Sequence, residues 1–351
     1  MCEQYQSRAF GTKMPGAFCF LAGWVMLLAS CARQDEPIHL QGEAQGTYYS
    51  ITYFDPEGRD LQPQVDSLLQ AFDQTASLWV EESLLRRVNS NKTDTVSPLF
   101  ADLLQKSAAI RRHTDGSFDC RVGRIVQAWG FSFKQREELS TATLDSLMLY
   151  SHAAVWLDTL DDGTILLRKE LPETELDFNA IAQGYSVDLL AGMMEQYGIE
   201  NYLIDVGGEV RGRGGKPDGE PWTVGIEKPA ADKYGGREIE TAIALKNASV
   251  VTSGSYRKYY EKEGTRYSHT IDPATGRPVT HSLLSVSVVS SEAWYADAMA
   301  TAFMVMGLEK ALKFIADLPE DTDIQGAAFI YDSAGTNKTY YTPGFREKIK
   351  Q

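Results

Sequence analysis

The spacing of apolar positions divides the chain into short alternating stretches and longer helical ones. They follow no regular strand–helix–strand repeat. Thr47 to Phe54 is rich in aromatic and β-branched residues and predicts a strand. From Leu61 to Ser77, Val65, Leu68, Leu69, Phe72 and Ala76 recur at helical spacing. Ser97-Pro98 supplies an N-cap and a proline in the first turn, opening a helix to about His113. Ala153–Asp158 and Thr164–Arg168 flank Asp161-Asp162-Gly163, a hairpin signal. Ile181 to Tyr197 predicts a helix stopped by Gly198. Strands are expected at Tyr202–Val206, Trp222–Glu227, Glu238–Leu245 and Leu284–Ser290. A helix follows over Ala293–Met306, ended by Gly307, with closing strands at Ala327–Tyr331 and Thr339–Tyr341. Helices mixed with antiparallel-type strands predict an α+β fold, with largely antiparallel sheets, packed helices and a single domain over residues 41–351.

The N-terminus reads as an address. Residues 17–29 are apolar but too short to span a bilayer comfortably, and Arg8 and Lys13 precede them. The run ends in Leu28-Ala29-Ser30-Cys31, which is similar to the site where a lipoprotein signal is cut before a lipidated cysteine. The expectation is a signal peptide over 1–30, lipidation at Cys31, a tether over 31–40, and an exported protein lipid-anchored to a bacterial membrane and facing the periplasm. A plain signal peptide or an anchor helix, with Cys31 incidental, is the alternative. Cys120 stands alone in the body of the chain, and its expected role is that of a small buried residue.

Composition narrows the ligand class. The 351 residues are 43% hydrophobic and carry a formal net charge of −14, with a pI near 4.9. A nucleic-acid binder needs a basic face, so that class is set aside. An acidic protein that handles an anion needs a metal ion or a few placed cations and backbone N–H groups.

Several polar motifs carry candidate chemistry, each with an ordinary structural alternative. The glycine-rich run from Asp205 to Gly215 follows a strand and either cradles a phosphate or makes a hairpin turn; no helix follows it, so it is not a dinucleotide fingerprint. Thr252 to Arg257 reads as a polar loop. Asp272-Pro273-Ala274-Thr275-Gly276 is turn chemistry that leaves His269 unexplained, either structural or catalytic. Asp177 precedes a helix as a cap or a ligand acceptor. Asp297 and Thr301, four residues apart, share one face of a helix with small apolar neighbours. A buried carboxylate needs a partner, and a carboxylate beside a hydroxyl suits Mg²⁺; a local salt bridge is the alternative.

Taken in series, these motifs resemble the FAD:protein FMN transferase (ApbE) family. The landmarks run from Gly46-Thr47 through Ser77-Leu78-Trp79, Asp115 to Asp119, Trp129-Gly130-Phe131, Asp177, Ala182 to Tyr185 with Asp188, Asp205 to Gly208, Thr252-Ser253-Gly254, Ser268-His269, Asp272-Pro273, Thr275-Gly276 and Ala296 to Thr301, ending at Gly307. The resemblance implies an ApbE-like, T-fold-like domain that moves FMN from FAD to a Thr or Ser hydroxyl of a partner protein and releases AMP. It implies FAD contacts at Gln45, Trp79, Ser117, Phe118, Asp119, Asp177, Gln183 and Ile271. It implies Mg²⁺ ligands at Ala180 (by its carbonyl), Asp297 and Thr301. His269 is the candidate for proton handling, with Asp119 and Asp272 as alternatives. Gln183 departs from the family's usual lysine, and Arg257 is a candidate substitute cation. The implied partners are flavin-carrying subunits of membrane electron-transfer complexes, of the Na⁺-translocating NADH:quinone reductase or Rnf type. Two alternatives remain at this point: hydrolysis of FAD to FMN and AMP, and a non-enzymatic flavin-binding lipoprotein.

Overall fold

Eight strands form one sheet in the order in which they occur along the chain: β1 (Ile38–Ala44), β2 (Thr47–Phe54), β3 (Asn201–Val206), β4 (Glu209–Arg213), β5 (Ala248–Gly254), β6 (Leu283–Ser290), β7 (Gly326–Ser333) and β8 (Thr336–Tyr341). Every neighbouring pair is antiparallel. This is a computed structural model; it describes residues 36–131, 139–229, 238–255, 259–262, 265–319 and 322–350, and of 259–262 and 265–268 the backbone alone. The expected signal segment, Cys31 and Arg257 lie outside the described residues.

Three of the seven connections are two-residue turns: Gln45-Gly46, Gly207-Gly208 and Ala334-Gly335. In each, both residues have positive φ, the backbone twist that matches two antiparallel strands. The glycine-rich run at 205–215 is therefore a hairpin, and Glu209–Arg213 is a strand rather than a loop. Thr252, Ser253 and Gly254 also remain in β5, paired with Ser287, Val286 and Ser285, although their polarity suggested a loop. Residues 38–40, expected in the tether, pair with Tyr53, Thr52 and Ile51 and so belong to the sheet. The helix Thr141–His152 was not anticipated, since few of its residues reach a core.

The other four connections carry the rest of the molecule. The main core lies on one face of the sheet, under helices α1 (Gln62–Ala76), α2 (Pro98–His113), α3 (Ala182–Gln196) and α4 (Ala293–Met306). The second face is covered by the hairpin of strands Trp222–Lys228 and Glu238–Leu245, with Phe345 beside it. A strand covered on both sides needs apolar residues at successive positions. β6 meets this: Val286 and Val288 face the helices and Val289 the hairpin. Helix α4 is apolar all round because it is clasped between the sheet and α3. The single-domain α+β expectation is met.

Candidate active site

A cleft of about 1040 Å³ opens where these layers meet, large enough for a dinucleotide-sized ligand. Among the described residues, all those that the resemblance assigns to FAD or Mg²⁺ line it, as does His269; Asp272 does not. Gln45 comes from the β1–β2 turn and Trp79 from the loop after α1. Ser117, Phe118 and Asp119 follow α2, Asp177 and Ala180 lead into α3, and Gln183 lies in its first turn. His269 and Ile271 come from the segment before β6, and Asp297 and Thr301 from α4. Six carboxylates line the cleft: Asp119, Asp177, Asp205, Glu209, Glu227 and Asp297. Among the described residues no lysine or arginine does.

The inner corner is built by two helices in close contact. A Cβ on Gly184 would sit 2.4 Å from the Ala293 carbonyl oxygen and 2.8 Å from Asp297 Cβ, so only glycine allows α3 to approach α4 this closely. The Gly184 N–H donates to Asp297 Oδ2 at 3.0 Å. Asp188, one turn further along α3, accepts from the N–H groups of Ala293 (3.0 Å) and Trp294 (2.8 Å), so a side chain of one helix caps the start of the other. Arg211 of β4 pairs with the same carboxylate.

Asp297 is buried, and burial pushes its carboxyl up to about 7. The Gly184 N–H opposes that shift, and the nearby Asp188 carboxylate adds to it. An anion in this position is repelled by its charged neighbour and gains from a cation. Thr301 lies one helical turn away, with its Oγ1 3.2 Å from Ser253 Oγ of β5. Carboxylate, hydroxyl and backbone carbonyl are hard oxygen donors that fit Mg²⁺, an ion that fills its remaining positions with water or phosphate. Among the described residues no three His, Cys, Asp or Glu side chains converge. An ion held here would rely on one carboxylate, neutral oxygens and the ligand's own phosphates.

The walls sort the remaining residues. Trp79 keeps 60% of its surface exposed, unusual for an indole. Its loop is held by Ser77, whose Oγ accepts from the N–H groups of Trp79 and Val80, and by Ser83, whose hydroxyl donates to the Ser77 carbonyl. Gln45 has positive φ, and its buried Nε2 has no hydrogen-bond partner among the described residues. Phe118 and Ile271 border the cleft but bury their side chains, Phe118 in the main core and Ile271 against Ile125 and Trp129. Asp177 does not cap α3; that cap position is Ile181, and Asp177 instead accepts from the Asn179 N–H at 2.8 Å. Burial pushes its carboxyl up to about 6.

The alternatives for proton handling are occupied. Asp119 accepts from Arg111 Nε at 2.8 Å and from Arg121 Nη2 at 2.6 Å. Asp272 accepts from the Ala274 N–H and the Thr275 hydroxyl within its own turn. His269 stands edge-on to Phe131, ring centroids 6.4 Å apart. Cys120 is a free, buried thiol outside the cleft, as expected.

Comparison with known proteins identifies the family and the fold. Residues 45–325 match the ApbE family profile. The chain belongs to the ApbE family. An FAD:protein FMN transferase of Vibrio cholerae is 35% identical over 295 residues, covering 82% of this chain and 87% of its own length. One of Escherichia coli is 36% identical over 284 residues, covering 79% and 80%. The solved structure of the flavin transferase ApbE from Vibrio cholerae superposes with a TM-score of 0.75 at 32% identity, over 89% of this chain and 99% of that one.

Gln183, in the position where the resemblance places a lysine in other ApbE chains, turns its Nε2 to the Val206 carbonyl at 2.8 Å. It thereby ties the start of α3 to the Gly207-Gly208 hairpin. Sequence reasoning assigned no role to Tyr48 or to Thr223–Glu227, which also line the ApbE cleft. Tyr48 donates to Asp205 Oδ2 at 3.1 Å across the β2–β3 pair. Neither carries a motif; both reach the cleft by strand pairing alone.

Proposed function

We propose that this chain transfers FMN from FAD to a Ser or Thr hydroxyl of a partner protein and releases AMP. The carrying observation is the acidic cleft with the buried Asp297 and adjacent Thr301 at its base. A diphosphate beside this carboxylate-rich lining gains from an accompanying cation. Asp297, Thr301 and the Ala180 carbonyl are the groups that would hold Mg²⁺, which, bound there, would screen the diphosphate and the departing phosphate.

The chain's own residues supply position and proton handling. Trp79 offers an indole face to the flavin. The unpartnered Gln45 amide and the raised Asp177 carboxyl offer hydrogen bonds to its polar edge. The partner's hydroxyl oxygen attacks the phosphorus on the riboflavin side. Its bond to the bridging oxygen breaks, AMP leaves, and the hydroxyl proton passes to the His269 imidazole. His269 lines the cleft, and this reading assigns it that proton.

The same reading includes export and lipidation at Cys31. Its partners are the flavin-carrying subunits of Na⁺-translocating NADH:quinone reductase or Rnf-type complexes. Among the described residues no helix is long and apolar enough to cross a membrane.

The test incubates protein, FAD, Mg²⁺ and such a subunit, then weighs the subunit and measures AMP. An FMN adduct with equal AMP is expected. Asp297→Asn should cut the rate by at least a hundredfold with the fold intact by circular dichroism, and EDTA should stop it reversibly. AMP and FMN formed at the same rate without a partner would mean hydrolysis. Tight FAD binding with no AMP would mean a carrier.

A further inference from the structure

The strand Trp222–Lys228 borders the cleft through five consecutive residues, Thr223 to Glu227. Side chains of a strand alternate between its faces, so five in succession meet the cleft along an edge, not a face. The inner edge pairs with Glu238–Leu245, where Thr223 lies opposite Ala244 and Gly225 opposite Ala242. The far side of that second strand is also paired. The Ala244 N–H donates to the Lys348 carbonyl at 2.7 Å, and the Lys350 N–H to the Ala242 carbonyl at 2.9 Å.

These bonds fix the register. Within a strand, the N–H and C=O of one residue point to the same side, and the side alternates. Ala242 and Ala244 point away from Trp222–Lys228, so their partners Gly225 and Thr223 point their own N–H and C=O away from the hairpin. Among the described residues no strand pairs with that outer edge. Both residues are exposed, and Gly225 leaves the edge without a side chain. Glycine within a strand often marks close approach of another backbone.

We propose that this outer edge binds the acceptor protein as an added β-strand, an extended segment carrying the Ser or Thr hydroxyl. The inference rests on the transferase reading. An acceptor hydroxyl must come within bonding distance of a phosphorus inside the cleft, which a folded surface cannot easily reach. An extended segment can, and it is held here by backbone bonds to Thr223 and Gly225 that tolerate varied side chains. The open edge borders the same cleft as Asp297, Thr301 and His269, so a segment paired with it lies along the cleft wall.

The test uses the wild-type protein with FAD, Mg²⁺ and a synthetic peptide of about ten residues around the hydroxyl found flavinylated in the intact subunit. Each peptide amide in turn is N-methylated. Strand addition predicts a period of two: alternate methylations cut kcat/KM at least tenfold, and those between change it less than threefold. Gly225→Pro removes one outward N–H and leaves the inner ladder untouched; it should raise KM for the peptide at least tenfold with little change in kcat. A non-alternating scan overturns the proposal. So does a peptide that accepts no FMN while the intact subunit does, since the segment alone is then insufficient. If the intact subunit itself accepts none, the transferase reading has failed instead.

Discussion

Trp79 and Asp177 are each held at a cost that folding alone does not explain. An exposed indole on a loop tied by Ser77 and Ser83 is placed for a ligand, not a core. Trp79→Ala should weaken FAD binding by about 1–2 kcal/mol, roughly 5- to 30-fold in Kd, as flavin fluorescence would read it. An unchanged Kd would separate the indole from the flavin. Asp177 is buried with its carboxyl raised to about 6. The folded chain therefore holds this proton more tightly than the unfolded chain, and stability falls as pH rises from the ordinary carboxylate range through about 6. Asn removes the charge. Asp177→Asn should raise Tm of the ligand-free protein at pH 8 by a few degrees, about 1–2 kcal/mol, and give no gain at pH 4. An equal gain at both pH values would mean that the effect is not the titration of this carboxyl.

At the scale of elements, the decisive contact is between α3 and α4. Gly184 and Gly192 lie on the same helix and make a matched pair. A methyl group at Gly184 meets the Ala293 carbonyl and Asp297, while one at Gly192 meets nothing within 4 Å. Gly184→Ala should destabilise the protein by roughly 1–3 kcal/mol, because the helices must separate. It should also lower the transfer rate, because Asp297 moves with α4. Gly192→Ala should stabilise by about 0.5–1 kcal/mol through helix propensity and leave the rate alone. Thermal melts and rates on the two variants check this. Equal behaviour would show that the close approach is not what fixes Asp297.

Across the whole molecule, the meander gathers residues from both ends of the chain at one cleft. Gln45 and Thr301 are separated by most of the sequence yet line the same space. The sheet begins at Ile38. A lipid on Cys31 would thus be seven residues away, a reach of about 25 Å at most. Cys31→Ser should abolish incorporation of labelled fatty acid. Transfer to a soluble acceptor should persist, and modification of a membrane-bound one should fall. Label retained on the variant would sink the anchor.

Much of this was legible along the chain because it depends on neighbours in sequence. The helical spacing of apolar residues over Leu61–Ser77, the Ser97-Pro98 start and the Gly307 stop are local signals, and the helices obey them. Asp297 and Thr301 share a face through helix geometry alone. Other features were decided only by the tertiary structure. Residues 209–213 lie in a glycine-rich run that reads as a turn, and 252–254 in a polar one that reads as a loop, since glycine is depleted in strands. Yet antiparallel partners on both sides hold 209–213 in the sheet, and pairing with Ser285–Ser287 holds 252–254. Asp177 looked like a cap, but burial turned it into a raised carboxyl beside the cleft. Thr223 and Gly225 carry no motif. Their outward backbone groups follow from a register that the C-terminal residues set from the far side of the hairpin. Propensity and periodicity act within about a turn, whereas burial, charge and strand pairing depend on which distant segments the fold brings together.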